Sequence, residues 1–322
     1  MLSHIVFTAV IIIAAVFLFS FICFLLVFFV PRIKKPKPDY LPVPNGKVYR
    51  PYHSMMKNWI MQARAMDHKD YYITAFDGTK LHAKYYEYKK GAVTEIMFHG
   101  YRGSAERDLS GGLQRCFALG RNVLIVDQRT TCGSGGHVIT FGIKEHRDCL
   151  SWVDFAVKEF GEDVPLLLTG ISMGASTVLM AAGKDLPPSV KGILADCGFT
   201  TAEEIIKKCC KDLHLPANIL YPFIKLGAKL FGRFDLEEYS ALQAVENCTL
   251  PVMFVHSSGD DFVPCYMSSK LYDACRGPKR LVVIGGSGHG LSFLLDNQKY
   301  FSELSDFYTQ NGIPTTLLEQ VI

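Results

Sequence analysis

The stretch Leu166-Leu167-Leu168-Thr169-Gly170-Ile171-Ser172-Met173-Gly174-Ala175 decides the fold. Its apolar start reads as a strand buried on both faces, and the Ala-rich segment after Ser172 reads as a helix. Between them lies G-x-S-x-G, a tight strand-to-helix turn that brings neighbouring backbone close and tolerates only small residues on either side. Such a turn lifts the Ser172 hydroxyl above the sheet edge and sets the N–H groups of a helix N-terminus beside it.

Outward from this point the chain alternates. Strand-like runs lie at Tyr71–Phe76, Leu81–Tyr88, Thr94–Phe98, Asn122–Asp127, Leu166–Ile171, Lys191–Asp196, Pro251–His256 and Arg280–Ile284. Helical patterns fall at Ala105–Leu119, Lys144–Phe160, Met173–Gly183 and Tyr266–Cys275. Alternation of this kind predicts right-handed crossovers and a mainly parallel sheet with helices on both faces. Asp77-Gly78 joins the first two strands as a hairpin. The alternation breaks between Thr201 and Tyr239, where an inserted helical cap over the active site is expected at about residues 200–240. Thr201-x-x-Glu204 is read as the capping box that opens it.

A serine hydroxyl is a weak nucleophile and needs a base, which in turn needs an orienting acid. Gly286-Ser287-Gly288-His289-Gly290, after the last strand, offers His289 as the base. The segment Gly259-Asp260-Asp261-Phe262-Val263-Pro264 follows the preceding strand and offers Asp260 as the acid. Asp261 is its close competitor, and Asp196, ending an earlier strand, is a weaker one. His99-Gly100-Tyr101-Arg102-Gly103 ends an early strand, so the backbone N–H groups of Tyr101 and Met173 are expected to converge on a developing oxyanion. His99 is read as a turn-stabilising residue.

The motifs HGYRGS, GISMGAS, GDDFVP and GSGHGLSF resemble the α/β-hydrolase superfamily, in particular its serine aminopeptidase-like and dienelactone-hydrolase-like branch and the membrane-anchored bacterial hydrolases. The resemblance runs from about Tyr71 to Phe307. It implies an α/β-hydrolase fold, a triad of Ser172, Asp260 and His289, and an oxyanion hole at Tyr101 and Met173. One departure is Asp127-Gln128-Arg129-Thr130-Thr131-Cys132-Gly133-Ser134, where many relatives carry D-x-R-G/A-H-G-x-S. That loop is expected to border the pocket, and Arg129 with Asp148 to form a structural ion pair.

Ile5 to Val30 carries no charge and, as a helix, rises roughly 39 Å, enough to cross a hydrocarbon core. No Lys or Arg precedes it, whereas Arg32, Lys34, Lys35 and Lys37 follow it. The expectation is an uncleaved single-pass anchor in the cell membrane (residues 1–30), a basic Pro-rich tether (31–52) and a catalytic body (53–322) on the cytoplasmic side. Pro31, Pro36, Pro38, Pro42 and Pro44 stiffen the tether. A helical stripe at Met56, Trp59, Ile60, Ala63 and Met66 is expected to pack on the body, with the bilayer surface as the alternative.

The net charge is +3, and outside the basic cluster the chain is near neutral, which argues against nucleic acid as the partner. Of ten cysteines only Cys23 falls in the apolar run, and the rest lack the spacing of a disulfide framework or a zinc site. No metal or other cofactor is expected. The expected activity is hydrolysis of a carboxylic ester or thioester through an acyl-enzyme. Leu215, Ile219, Leu220, Phe223, Ile224, Leu226, Leu230 and Phe231 of the cap hint at an acyl substrate. A peptidase or amidase is the first alternative, with Glu203, Glu204, Glu237 and Glu238 as candidate partners for a substrate amine. A catalytically silent, membrane-tethered binding protein is the second.

Overall fold

A computed structural model describes residues 2–31 and 37–315; Arg32, Lys34 and Lys35 of the basic cluster, and residues 316–322, lie outside the described residues. The elements in chain order are α1 (Leu2–Val27), α2 (His53–Ala65), β1 (Lys69–Thr74), β2 (Lys80–Tyr86), β3 (Thr94–Phe98), α3 (Ala105–Ala118), β4 (Asn122–Asp127) and α4 (Glu145–Phe160). Then come β5 (Leu166–Ile171), α5 (Met173–Ala182), β6 (Val190–Asp196), α6 (Ala202–Asp212), α7 (Ala217–Gly227) and α8 (Ala241–Val245). The chain closes with β7 (Val252–Gly259), α9 (Tyr266–Ala274), β8 (Lys279–Ser287), α10 (Ser292–Leu295) and α11 (Asn297–Gln310).

The strands form one eight-stranded sheet in the order β1-β2-β4-β3-β5-β6-β7-β8. β2 pairs antiparallel with β1 and β4, and every later pairing is parallel. This is the α/β-hydrolase architecture. β3 and β4 are buried along their whole length, as is β5 apart from its last residue, so their apolar runs have no polar alternation. β5, the strand that delivers Ser172, therefore sits mid-sheet between β3 and β6. At the first hairpin Gly78 adopts φ +82° and its N–H donates to Ala75 O at 2.9 Å.

Three local expectations are revised. Thr201 Oγ1 does accept the Glu204 N–H at 3.0 Å, but the Glu204 carboxylate turns away to Lys270 Nζ (2.8 Å) and the Tyr266 hydroxyl (3.1 Å), leaving half a capping box. The Asp127–Ser134 loop does not line the cavity beside Ser172; Thr131 and Gln128 instead pack behind it, hydrogen-bonded to the buried His99. The apolar faces of α7 and the π-helical turn Ala228–Gly232 do not line that cavity either. They pack on α1, where Phe223 meets Phe19 at 4.9 Å between ring centroids and Phe231 meets Phe17 at 4.8 Å.

The C-terminal half of α1 is thus docked on the body, with Cys23, Phe24 and Phe28 in the main core. Its last carbonyls, which have no intrahelical donors, are taken up by the body. The Tyr101 hydroxyl donates to Val27 O (2.6 Å), and Arg102 Nη2 to Leu26 O (2.8 Å) and Phe29 O (3.1 Å). As expected, α2 packs on the body, burying Met56, Ile60 and Ala63 against α3. Arg129 and Asp148 form a buried two-pronged ion pair at 2.6 and 2.7 Å.

Candidate active site

Ser172 sits at φ 57°, ψ −121°, a conformation that costs a non-glycine residue on the order of 1–3 kcal/mol. The surroundings enforce it. The Ser172 N–H donates to Asp196 O at the end of β6 (2.8 Å), and both flanking glycines are sterically required. A Cβ on Gly170 would lie 2.1 Å from the Gly174 backbone, and one on Gly174 would lie 2.1 Å from Phe98 O. Met173 then opens α5, so its N–H has no intrahelical acceptor.

The turn after β3 runs directly against this elbow: a Cβ on Gly100 would be 3.4 Å from Ser172 Cβ. Asp108, in the first turn of α3, holds it by accepting the Gly100 N–H at 3.1 Å, and a Cβ on Gly103 would lie 2.0 Å from the same carboxylate. Tyr101 lies in this turn and lines the same cavity as Ser172. His99 is buried and joined to Gly100 O and the Gln128 N–H, and burial lowers its pKa, so it acts as a neutral strut.

His289 Nδ1 lies 2.7 Å from Asp260 Oδ2. The other oxygen, Asp260 Oδ1, accepts the N–H groups of Phe262 (3.0 Å) and Val263 (2.9 Å). Burial on its own would raise the Asp260 pKa. Hydrogen bonds from His256 and His289 outweigh it and hold the carboxyl well below the usual range, so Asp260 is a fixed anion. Asp261 is exposed and its carbonyl is bonded by Lys208 Nζ. Asp196 is bonded by the hydroxyls of Ser292 (3.0 Å) and Tyr300 (3.2 Å). Neither competitor pairs with His289. Among the described residues, His289 Nε2 has no hydrogen-bond partner; it is not bonded to Ser172 Oγ, although both residues line one cavity.

Cys197, Asp260 and His289 bring three ligand-type atoms within 4.8 Å of one another, a cluster invisible in sequence spacing. Two of those residues are already paired together. Burial, reinforced by the nearby carboxylates of Asp196 and Asp260, pushes the Cys197 thiol well up.

The cavity beside Ser172 measures about 570 Å³. Its wall is largely apolar, with Met56, Trp59, Leu109, Ile171, Phe262 and Phe293 prominent. Pro44 and Gly46 to Tyr49, read from the sequence as mere tether, line it. Tyr49 donates its hydroxyl to His289 O at 2.9 Å; burial and the Asp260 charge push its pKa up to about 12, so the donor proton is retained. Tyr49, Asp108 and His256 are the residues that sequence reasoning missed as parts of this site. Only Asp108 had a legible signal, an acid in the first helical turn after a glycine-bounded loop.

The prolyl oligopeptidase family (Peptidase_S9) matches residues 117–312 of the chain. The chain is 30% identical over 190 residues to the uncharacterized protein YqkD of Bacillus subtilis (strain 168), a match covering 59% of this chain and 62% of that one. It is 26% identical over 279 residues to the uncharacterized protein YfhR of Escherichia coli (strain K12), covering 84% of this chain and 86% of that one. The structure is similar to the Pyrococcus furiosus esterase Pf2001 at a TM-score of 0.63 and 20% identity, covering 87% of this chain and 98% of that one. It is also similar to a puromycin-hydrolyzing peptidase of Mycobacterium tuberculosis at a TM-score of 0.58 and 15% identity, covering 77% and 40%. The match to the prolyl oligopeptidase family extends over more than half of the sequence and takes in the elbow, the acid loop and the histidine loop, so the chain belongs to that family and is a hydrolase of the α/β fold.

Proposed function

We propose that the protein is a serine hydrolase that cleaves carboxylic esters or thioesters through an acyl-enzyme. The observation that carries this reading is the Asp260–His289 hydrogen bond, set in the same apolar cavity as a serine held on a strained elbow. Ser172 Oγ attacks the carbonyl carbon as His289 Nε2 takes its proton. Asp260 keeps the Nδ1 proton in place and stabilises the imidazolium. The N–H groups of Tyr101 and Met173 receive the oxyanion. His289 returns the proton to the leaving oxygen or sulfur, and water, activated by the same base, releases the acid.

The wall of the cavity favours an ester over a peptide with a free amine. Three of the four glutamates named for amine recognition are engaged elsewhere: Glu203 with Lys207, Glu204 with Lys270, Glu237 with Lys225. None of them lines the cavity. Peptide cleavage is the second reading, supported by the family and by the neighbour described as a puromycin-hydrolyzing peptidase. Comparing kcat/KM on p-nitrophenyl esters of rising chain length with that on peptide amides separates the two. The ester reading requires ester turnover that exceeds amide turnover and vanishes in Ser172→Ala; a preference for amides would replace it.

We also propose that α1 spans the membrane, as an anchor ahead of a body on the cytoplasmic side. It carries no charged residue, and Ile5, Val6, Phe7, Val10, Ile11, Ile12 and Ile13 are all more than half exposed, which a core helix would not be. The division into anchor, tether and catalytic body with an inserted cap belongs to the same proposal.

A further inference from the structure

α1 is 26 residues long, and a hydrocarbon core of about 30 Å takes up about 20 helical residues. However a span of that length is placed within Leu2–Val27, Phe17, Phe19 and Phe21 fall inside it. Those three side chains also meet the inserted helices, as Phe24 does. Phe17 and Phe21 each lie 4.8 Å from Phe231, and Phe19 lies 4.9 Å from Phe223. The contact is close along its length, because a Cβ on Gly227 would lie 2.4 Å from Ser20 O. Rigid packing therefore carries α7 and the turn Ala228–Gly232 to the same depth as the membrane-embedded part of α1.

The outer surface of this insertion carries large apolar side chains beside the exposed Asp212, His214 and Lys229. Leu213 is 69% exposed and Ile219 66%, and Leu215 and Leu230 stand out beside them. In water four large aliphatic side chains on one small insertion would be a liability. In acyl chains the same exposed surface is favourably buried. The neighbouring Lys211 is exposed, and long basic side chains of this kind reach back to the headgroups.

We propose that the α6–α7 connection, α7 and the turn Ala228–Gly232 form a wedge immersed in the acyl-chain layer of the leaflet nearest the body. The body therefore sits partly in the membrane instead of hanging from a spacer. The catalytic turn that bears Tyr101 is bolted to the end of α1, so the active site is held at a fixed, short distance from the lipid surface. This inference rests on the reading of α1 as a membrane span.

The test uses the full chain in phosphatidylcholine vesicles, with single tryptophans added at Ile219 or Leu213 in the wedge and at Ile12 in α1. The two native tryptophans are common to all variants, and the wild-type signal is subtracted. Phosphatidylcholine brominated on its acyl chains quenches only fluorophores that touch those chains. Acrylamide quenches those that touch water. The inference predicts that Ile219→Trp and Leu213→Trp lose about half or more of their added emission to brominated lipid and resist acrylamide, as Ile12→Trp does. If Ile12→Trp responds to brominated lipid while both wedge variants respond only to acrylamide, the wedge is overturned and the span survives. If none of the three responds to brominated lipid, the span itself fails and the wedge with it.

Discussion

Two segments outside the sheet exchange the parts that the sequence suggests for them. The insertion at 201–233 is amphipathic and lies where a cap is expected, yet Phe223 and Phe231 pack on α1, and Leu213, Leu215, Ile219 and Leu230 are left exposed. Residues 44–49 are proline-flanked and read as a spacer, yet Pro44 and Gly46 to Tyr49 line the cavity, and Tyr49 bonds the histidine loop. The difference teaches that amphipathicity reports how much of an element will be buried, not against what. A helical stripe needs an apolar partner, and here α1 supplies it.

Substitutions at these two segments should therefore have separable effects. The largest is expected at Gly227→Leu, whose side chain would drive into the Ser20 backbone and Phe24. Overpacking of this kind costs about 1–3 kcal/mol or more, so Tm should fall by roughly 3–10 °C while kcat/KM of the folded enzyme on a short soluble ester stays near wild type. A matching loss of activity would place the insertion over the site after all. Tyr49→Phe is the counterpart: it should leave Tm nearly unchanged and lower kcat/KM by about 5-fold, the worth of one modest hydrogen bond to the loop that carries His289. Unchanged kinetics would return residues 44–49 to the status of a spacer.

The smallest effect is expected far from both segments. His82 is buried between Asp127 (2.8 Å) and Asp70 (2.6 Å). Burial alone would lower its pKa, but the two carboxylates outweigh burial and raise it. The stability it contributes is fully present below the unfolded value of about 6.5 and is lost as pH rises through the raised folded value. The Tm difference between wild type and His82→Gln should thus be larger at about pH 6 than at about pH 9. The reverse order would mean that the imidazole is neutral in the fold.

The sheet was legible because its strands are short apolar runs between turn residues: β3, β4 and β5 begin and end where the pattern says. The elbow was legible because sterics leave little choice at Gly170 and Gly174. The stripe Tyr300, Phe301, Leu304, Phe307 and Tyr308, capped by Asp296, carried an equally clear signal for α11 that went unread. Tyr49 and His256 were out of reach, since nothing local ties a residue to a partner 240 positions away or tells an ordinary strand histidine from one that braces a carboxylate. Asp260 was preferred over its close competitor Asp261 in the sequence, and three dimensions separate them, with one carboxyl buried on His289 and the other residue exposed.

The central claim is that Ser172 is activated through His289 by Asp260, and labelling with a fluorophosphonate tests it most directly. Mass spectrometry of the labelled, digested protein should find one adduct, on the peptide that carries Ser172. The adduct should be absent in Ser172→Ala and form slower by on the order of 1,000-fold or more in Asp260→Asn. An unlabelled wild type, or an adduct that persists in Ser172→Ala, would contradict the account.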